Sequence, residues 1–161
     1  MNNTVKLLTL VVILSKDRKR ILLGMKKRGF GVGRWNGFGG KLIEGETIDD
    51  AAHREVTEEI GIKMNKLERH GVITFYEADP IPLEVTIFSC DDFSGEPKES
   101  DEMKPKWFPI NSIPYEEMWP DDKYWLPLLI DGKKFKGKFW FKDKNNTHKI
   151  THYELKRVSK I

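Results

Sequence analysis

Residues 47–60 constrain this chain more than any other segment. Thr47 can cap a helix N-terminus, Asp49 and Asp50 suit the positive first turn, and Gly61 can end the helix. Ile48, Ala52, Val56 and Ile60 recur every four residues, which gives the helix one buried stripe. Once that stripe faces a core, Glu55, Glu58 and Glu59, spaced i, i+3 and i+4, project together from one side. Three adjacent carboxylates repel one another, and a divalent cation relieves that repulsion. Hard oxygen ligands beside phosphate are the usual setting for Mg²⁺. An exposed acidic helix paired with lysines is the plainer reading of any such charge run.

What precedes the helix narrows the choice. Six glycines, at 29, 31, 33, 37, 39 and 40, make residues 29–40 loop-like, with a short extended piece over 35–38. Gly39 and Gly40 let backbone approach a metal and phosphates with no Cβ in the way. Glu46 and Arg54 read as an ion pair that braces the loop on the helix.

The rest of the chain supplies a scaffold. Residues 5–14 and 21–25 are aliphatic, flank a polar link and read as two buried strands. Further strands are expected over 71–76, 83–90, 106–110, 137–142 and 150–158, with a turn at 78–82 and a second helix over 122–130. In the 137–142 strand, Phe139 and Phe141 alternate against Trp140. The lysine-rich stretch 142–149 reads as a solvated hairpin. Strands without a regular βαβ alternation predict an α+β architecture, a mixed sheet sandwiched between helices. At 161 residues and 39% hydrophobic, the chain suits one domain over 1–161.

Charge and cysteine content exclude several classes. A net charge of +3 is too small to imply a nucleic-acid polymer as partner. The apolar run 7–14 is too short to span a bilayer, and no basic segment precedes it. One cysteine, Cys90, allows no internal disulfide and reads as a buried strand residue. These features predict a cytoplasmic protein, with a nucleus or mitochondrion as further settings, and a monomer, since no long apolar face is left over.

From Gly40 the chain runs five residues to Glu46 and seven more to Arg54-Glu55-Val56, followed by Glu58-Glu59, Gly61 and Ile62. At every specified position this resembles the Nudix box, G-x5-E-x7-R-E-U-x-E-E-x-G-U, with U aliphatic. The resemblance implies a Nudix fold and a Mg²⁺-dependent hydrolase, with Mn²⁺ able to substitute. It makes Glu55, Glu58 and Glu59 catalytic and places them, with Gly39, around the metal.

Outside the box the likeness is closer. Residues 24–31, 33–41, 99–103 and 118–122 resemble the MutT-related oxidised purine nucleoside triphosphatases, or 8-oxo-dGTPases, that sanitise nucleotide pools. That branch implies hydrolysis of 8-oxo-dGTP, 2-oxo-dATP or O6-methyl-dGTP to the monophosphate and pyrophosphate, which keeps mutagenic bases out of DNA. By position, Asn36, Asp121 and Asp122 read the purine edge. Trp119, Met103, Phe30 and Phe75 enclose its faces, Thr9 lines the floor, Gly40 and Lys26 face the phosphates, and Glu102 joins the metal shell. Lys27, Arg28 and Lys41 are further phosphate or solubility charges.

Elementary chemistry bears on some of these roles. Adjacent carboxyls at Asp121 and Asp122 disfavour double ionisation, so one can keep a proton and donate where a carboxylate only accepts. Exchanging donor and acceptor lets one pocket take both an oxidised guanine and an oxidised or methylated adenine. Helix capping after Pro120 is the alternative use of this pair. Core packing is the alternative for Trp119 and Met103, and core or surface packing is the expected use of Trp35, Trp107, Trp125 and Trp140. Glu77 and Leu83 depart from the branch, which carries an aromatic and a methionine there, near the pocket edge. A Nudix hydrolase of another diphosphate and an inactive nucleotide-binding Nudix module are the rival readings.

Overall fold

The computed structural model describes residues 5–77, 80–142 and 149–161. In chain order it forms β1 (Lys6–Leu14), β2 (Arg20–Lys26), β3 (Trp35–Asn36), α1 (Ile48–Ile60), β4 (Lys63–Tyr76) and β5 (Leu83–Ser94). Then follow β6 (Met103–Pro109), two 3₁₀ turns at Ile110–Ser112 and Tyr115–Glu117, α2 (Asp122–Ile130), β7 (Lys134–Lys142) and β8 (Lys149–Val158).

Among the described residues the strands form one sheet in the order β3-β2-β1-β5-β4-β7-β8, with β6 also paired to β2. The β1–β5 and β4–β7 pairs are parallel and the others antiparallel, so the sheet is mixed. The long aliphatic run of β1 is explained by burial on both faces. Val11 and Ile13 pack with Ala52, Val56 and Ile60 of α1. Val12 and Leu14 pack with Trp125, Leu126 and Leu129 of α2. The sheet therefore lies between two helices, as the sequence predicts. No helix among the described residues is long and apolar enough to cross a membrane.

Both expected ends of α1 are present. The Thr47 side chain accepts from the Asp50 N–H at 3.1 Å, and Gly61 takes a left-handed conformation at φ 72°. Ala52, Val56 and Ile60 are buried, and Ile48 packs at the margin.

Several boundaries differ from the sequence reading. β4 starts at Lys63 rather than 71, because its polar first half pairs with the end of β5 through three register shifts that break simple alternation. β5 accordingly runs past Cys90 to Ser94. β6 starts at Met103, pairing along all of β2, and ends at Pro109, so Ile110 opens a 3₁₀ turn instead. β7 begins at Lys134, where Phe135 is fully buried although lysines surround it. Of the turn predicted at 78–82, residues 78–79 lie outside the described residues. So do residues 143–148 of the hairpin predicted at 142–149.

Candidate active site

The mouth of the site is built where α1 meets the glycine segment. Val11 and Phe38 exchange backbone hydrogen bonds, and the Thr9 N–H donates to the Gly40 carbonyl at 2.9 Å, so the glycine segment lies along β1. The contact is too close for side chains. A Cβ at Gly39 would overlap the Thr9 carbonyl, and one at Gly40 would come within 2.7–2.9 Å of the Glu55 carboxyl group. The Gly39 N–H donates to Glu59 Oε1 at 2.8 Å, tying loop to helix.

Arg54 organises the outer carboxylates. It donates from Nε to Glu46 Oε2 at 2.7 Å and from Nη2 to Glu46 Oε1 and the Lys41 carbonyl, a bidentate brace of the kind predicted. Its Nη1 reaches Glu55 at 2.9 Å and Glu58 at 3.2 Å. Among the described residues no three acidic, histidine or cysteine side chains converge on one point. Their electrostatics nonetheless suit a cation. Burial, and next the charge of Glu55, push Glu59 up to about 8 against the opposing Gly39 hydrogen bond. Burial raises Glu55 too, although Arg54 opposes it, and the charge of Glu102 bears on both groups. A divalent cation would favour the ionised form of both. With fewer than three converging side chains, the rest of its shell falls to water and phosphate oxygens, as Mg²⁺ accepts readily.

Behind this mouth lies a cavity of about 230 Å³. Of the residues singled out in the sequence, Thr9, Lys26, Phe30, Asn36, Gly39, Gly40, Glu59, Phe75, Met103, Trp119, Asp121 and Asp122 all line it. Glu55, Glu58 and Glu102 lie outside its lining, and Glu58 and Glu102 are exposed. The basic residues divide. Lys26 lines the cavity, and its charge opposes the rise of Glu59. Lys27 instead holds Glu99 at 2.6 Å and the Ser100 carbonyl at 2.9 Å, and Arg28 sits 3.8 Å from Glu102. Lys41 is exposed and meets Arg54 through its carbonyl.

At the far end Asp121 and Asp122 are 4% and 3% exposed, which is unusual for carboxyl groups. Asp121 is the N-cap residue of α2 but makes no side-chain cap; its Oδ2 accepts from Trp125 Nε1 at 2.8 Å. The two carboxyl groups also share a hydrogen bond, and Asp122 Oδ2 is buried with no partner. Burial raises both above the ordinary carboxylate range, and for Asp122 the neighbouring charge of Asp121 adds to it. The pair thus retains a proton at neutral pH. Capping, the alternative use, is not what these side chains do.

Aromatic rings close the cavity. Phe30, 64% exposed, stacks on Trp119 with centroids 5.2 Å apart. Asn36 Oδ1 accepts from the Gly37 N–H at 2.9 Å, which fixes the orientation of the amide. Three contributors escaped sequence reasoning. Arg34 donates to the Met118 carbonyl at 2.9 Å and lies 4.5 Å over the Trp119 ring, holding it in place. Trp125, taken as packing, orients Asp121; their i, i+4 spacing was the available signal. Phe141 lines the cavity from β7 and packs on Phe75 at 5.9 Å, a contact across 66 residues that no local pattern announces.

Carboxylates on a helix, a glycine backbone pressed against them and a ring-sized cavity behind define a phosphohydrolase that works with a divalent cation. The chain belongs to the Nudix family: the NUDIX domain model matches residues 6–129. It is 50% identical over 157 residues to the oxidized purine nucleoside triphosphate hydrolase of Mus musculus, covering 97% of each chain. It is 49% identical over 154 residues to the protein of the same name from Danio rerio, covering 94% of this chain and 97% of that one. Its fold is that of a MutT protein from Bacillus halodurans, with a TM-score of 0.81 at 24% identity over 94% of this chain and 97% of that one.

Proposed function

We propose that this protein hydrolyses oxidised purine nucleoside triphosphates to the monophosphate and pyrophosphate with Mg²⁺, removing mutagenic precursors from the nucleotide pool. The observation that carries the reading is the buried, proton-sharing Asp121–Asp122 pair in a cavity that Glu59 of α1 also lines. The likeness over almost the whole chain to two oxidized purine nucleoside triphosphate hydrolases supports it.

Glu55, Glu58, Glu59, Glu102 and the backbone of Gly39 would form the surroundings of the metal; because no three of these side chains converge among the described residues, fewer than three would bind one ion directly and the rest would act through water. Bound there, Mg²⁺ or Mn²⁺ supplies positive charge to phosphate oxygens and lowers the pKa of a water. The chain does the remainder by positioning. Gly39 and Gly40 admit the phosphates to van der Waals range of the backbone, and Lys26 adds charge at the cavity wall. Phe30, Phe75, Met103 and Trp119 enclose the base, while Thr9 forms the floor. Asn36 and the Asp121–Asp122 pair read its edge; the shared proton gives the pair one donor, whose position can follow the base. Low net charge favours a free nucleotide over a nucleic-acid polymer or membrane as partner. With this reading goes a single-domain cytoplasmic monomer, since the sequence marks no long apolar face left over once a core is built.

The test is pyrophosphate release with Mg²⁺ from 8-oxo-dGTP, 2-oxo-dATP, O6-methyl-dGTP and dGTP in parallel, with the Glu58→Ala variant as the blank. Preference for a modified purine, lost in the variant, is expected. Uniformly weak turnover of all four would move the substrate to another diphosphate.

A further inference from the structure

The base end of the cavity is more acidic than recognition of a neutral oxidised purine requires. Glu77, at the end of β4, lines the cavity with Phe75 and Leu83, is partly buried, and lies close enough for its charge to act on Asp121. Among the described residues no lysine, arginine or histidine forms an ion pair with it. Of the basic groups nearby, Lys26 acts on Glu59 at the other end, and Arg34, whose charge reaches Asp122, is committed to the Met118 carbonyl and the Trp119 ring.

We propose that Glu77 gives this pocket a second substrate class: purine nucleoside triphosphates whose base carries a formal positive charge from alkylation of a ring nitrogen. The inference rests on the reading of this cavity as a purine site. A cationic base brings to Glu77 and to the ionised member of the aspartate pair the counter-charge that no ion pair among the described residues supplies. Partial shielding from solvent makes that attraction stronger than in bulk water. The enclosing rings act in the same direction, because a cation is drawn to an aromatic face. The reaction is unchanged. Water adds to a phosphorus of the α–β anhydride, that P–O bond breaks, pyrophosphate leaves, and one proton is released.

Isomeric substrates isolate the charge. 7-Methyl-dGTP is cationic and O6-methyl-dGTP neutral at equal mass, as are 1-methyl-dATP and N6-methyl-dATP. The wild type should prefer the charged member in kcat/KM by about tenfold for at least one pair, equivalent to about 1.4 kcal/mol. Glu77→Gln should bring that ratio close to one, and Glu77→Lys below one, whatever happens to the absolute rates. A ratio at or below one for both pairs in the wild type, or a ratio that Glu77→Gln leaves intact, overturns the proposal. 8-Oxo-dGTP run alongside separates the two readings. Its turnover with flat charge ratios removes this inference alone, whereas no turnover with the charge preference intact removes the oxidised-purine reading and leaves this one standing.

Discussion

The two ends of the cavity are built in opposite ways. The phosphate end comes mostly from one contiguous stretch, the glycine segment and α1, joined by Lys26 and Glu102 from outside it, and the α1 carboxylates are held by Arg54 and a single backbone N–H. The base end is assembled from β1, β3, β4, β5, β6, β7 and the start of α2, with Phe30 and Trp119 from loops, and its aspartates are buried and share a hydrogen bond. Burial disfavours ionisation at both ends, but at the first a cation would draw Glu55 and Glu59 into their ionised form, whereas at the second the proton stays on the aspartate pair and can be donated. If this division is functional, rate should belong to the first end and choice of base to the second.

The largest test of that division is Glu59→Gln. The amide keeps the shape and the Gly39 contact but loses the ionised oxygen, so kcat should fall roughly 10²–10³-fold. The ratio of kcat/KM for 8-oxo-dGTP and 2-oxo-dATP should stay where it is, as read by steady-state kinetics with Mg²⁺. A shift in that ratio comparable with the rate loss would break the division.

Gly39→Ala strikes the joint between the ends, since its new Cβ would overlap the Thr9 carbonyl on β1. Backbone cannot swing aside as a side chain can, so the strain should cost about 3 kcal/mol. At roughly 2–4 °C per kcal/mol for a chain of this size, Tm should drop by roughly 6–12 °C in a thermal melt. Rate and base selectivity should both suffer, unlike in Glu59→Gln; a variant with native Tm would show that the loop is not pinned there.

The same division explains what the sequence disclosed. The Thr47 cap, the Gly61 stop, the helix stripe and the Glu46–Arg54 brace are each readable within a few residues, and all are present. The burial of β1 was legible from its aliphatic run, interrupted only by Thr9. The first half of β4 was not, because register shifts at Lys66, Glu68 and Gly71 remove the alternation that marks a strand. Composition could not show that Lys27 is taken up by Glu99, 72 residues away, or that, at the base end, Arg34 steadies Trp119. Such pairings are consequences of the sheet order and become visible only once it is known. The candidate residues of that end came from resemblance to the family, and the fold lines them along one cavity.

Asp122→Asn sharpens the contrast from the base end. An amide fixes one donor and one acceptor where the aspartate pair can exchange them, so the 8-oxo-dGTP to 2-oxo-dATP ratio should move roughly tenfold, the worth of one hydrogen bond, with kcat on the better substrate retained. Stability supplies an independent readout. The folded carboxyl group keeps its proton above the pH at which an unfolded aspartate, near pKa 3.9, gives it up. The native state then binds more protons than the unfolded one, so this group's contribution to stability falls as pH rises from about 4 through the raised folded value. The variant lacks that term. Its Tm should gain on the wild type as pH rises from 5 to 8, and parallel pH profiles would show that Asp122 ionises as readily in the folded chain as in the unfolded one.

The smallest effect should come from Thr47→Ala, which touches neither substrate nor metal. The Thr47 hydroxyl satisfies the Asp50 N–H in the first turn of α1, and its loss should cost about 1 kcal/mol, or roughly 2–4 °C in Tm. Because Ala52, Val56 and Ile60 hold the helix to the sheet along its whole length, fraying one turn leaves Glu59 in place. Neither kcat nor base selectivity should change more than about twofold at temperatures well below the melt. A large loss of kcat here would mean that the carboxylates are positioned by the start of the helix, through Glu46 and Arg54, more than by its buried stripe, and that the phosphate end is less rigid than its packing implies.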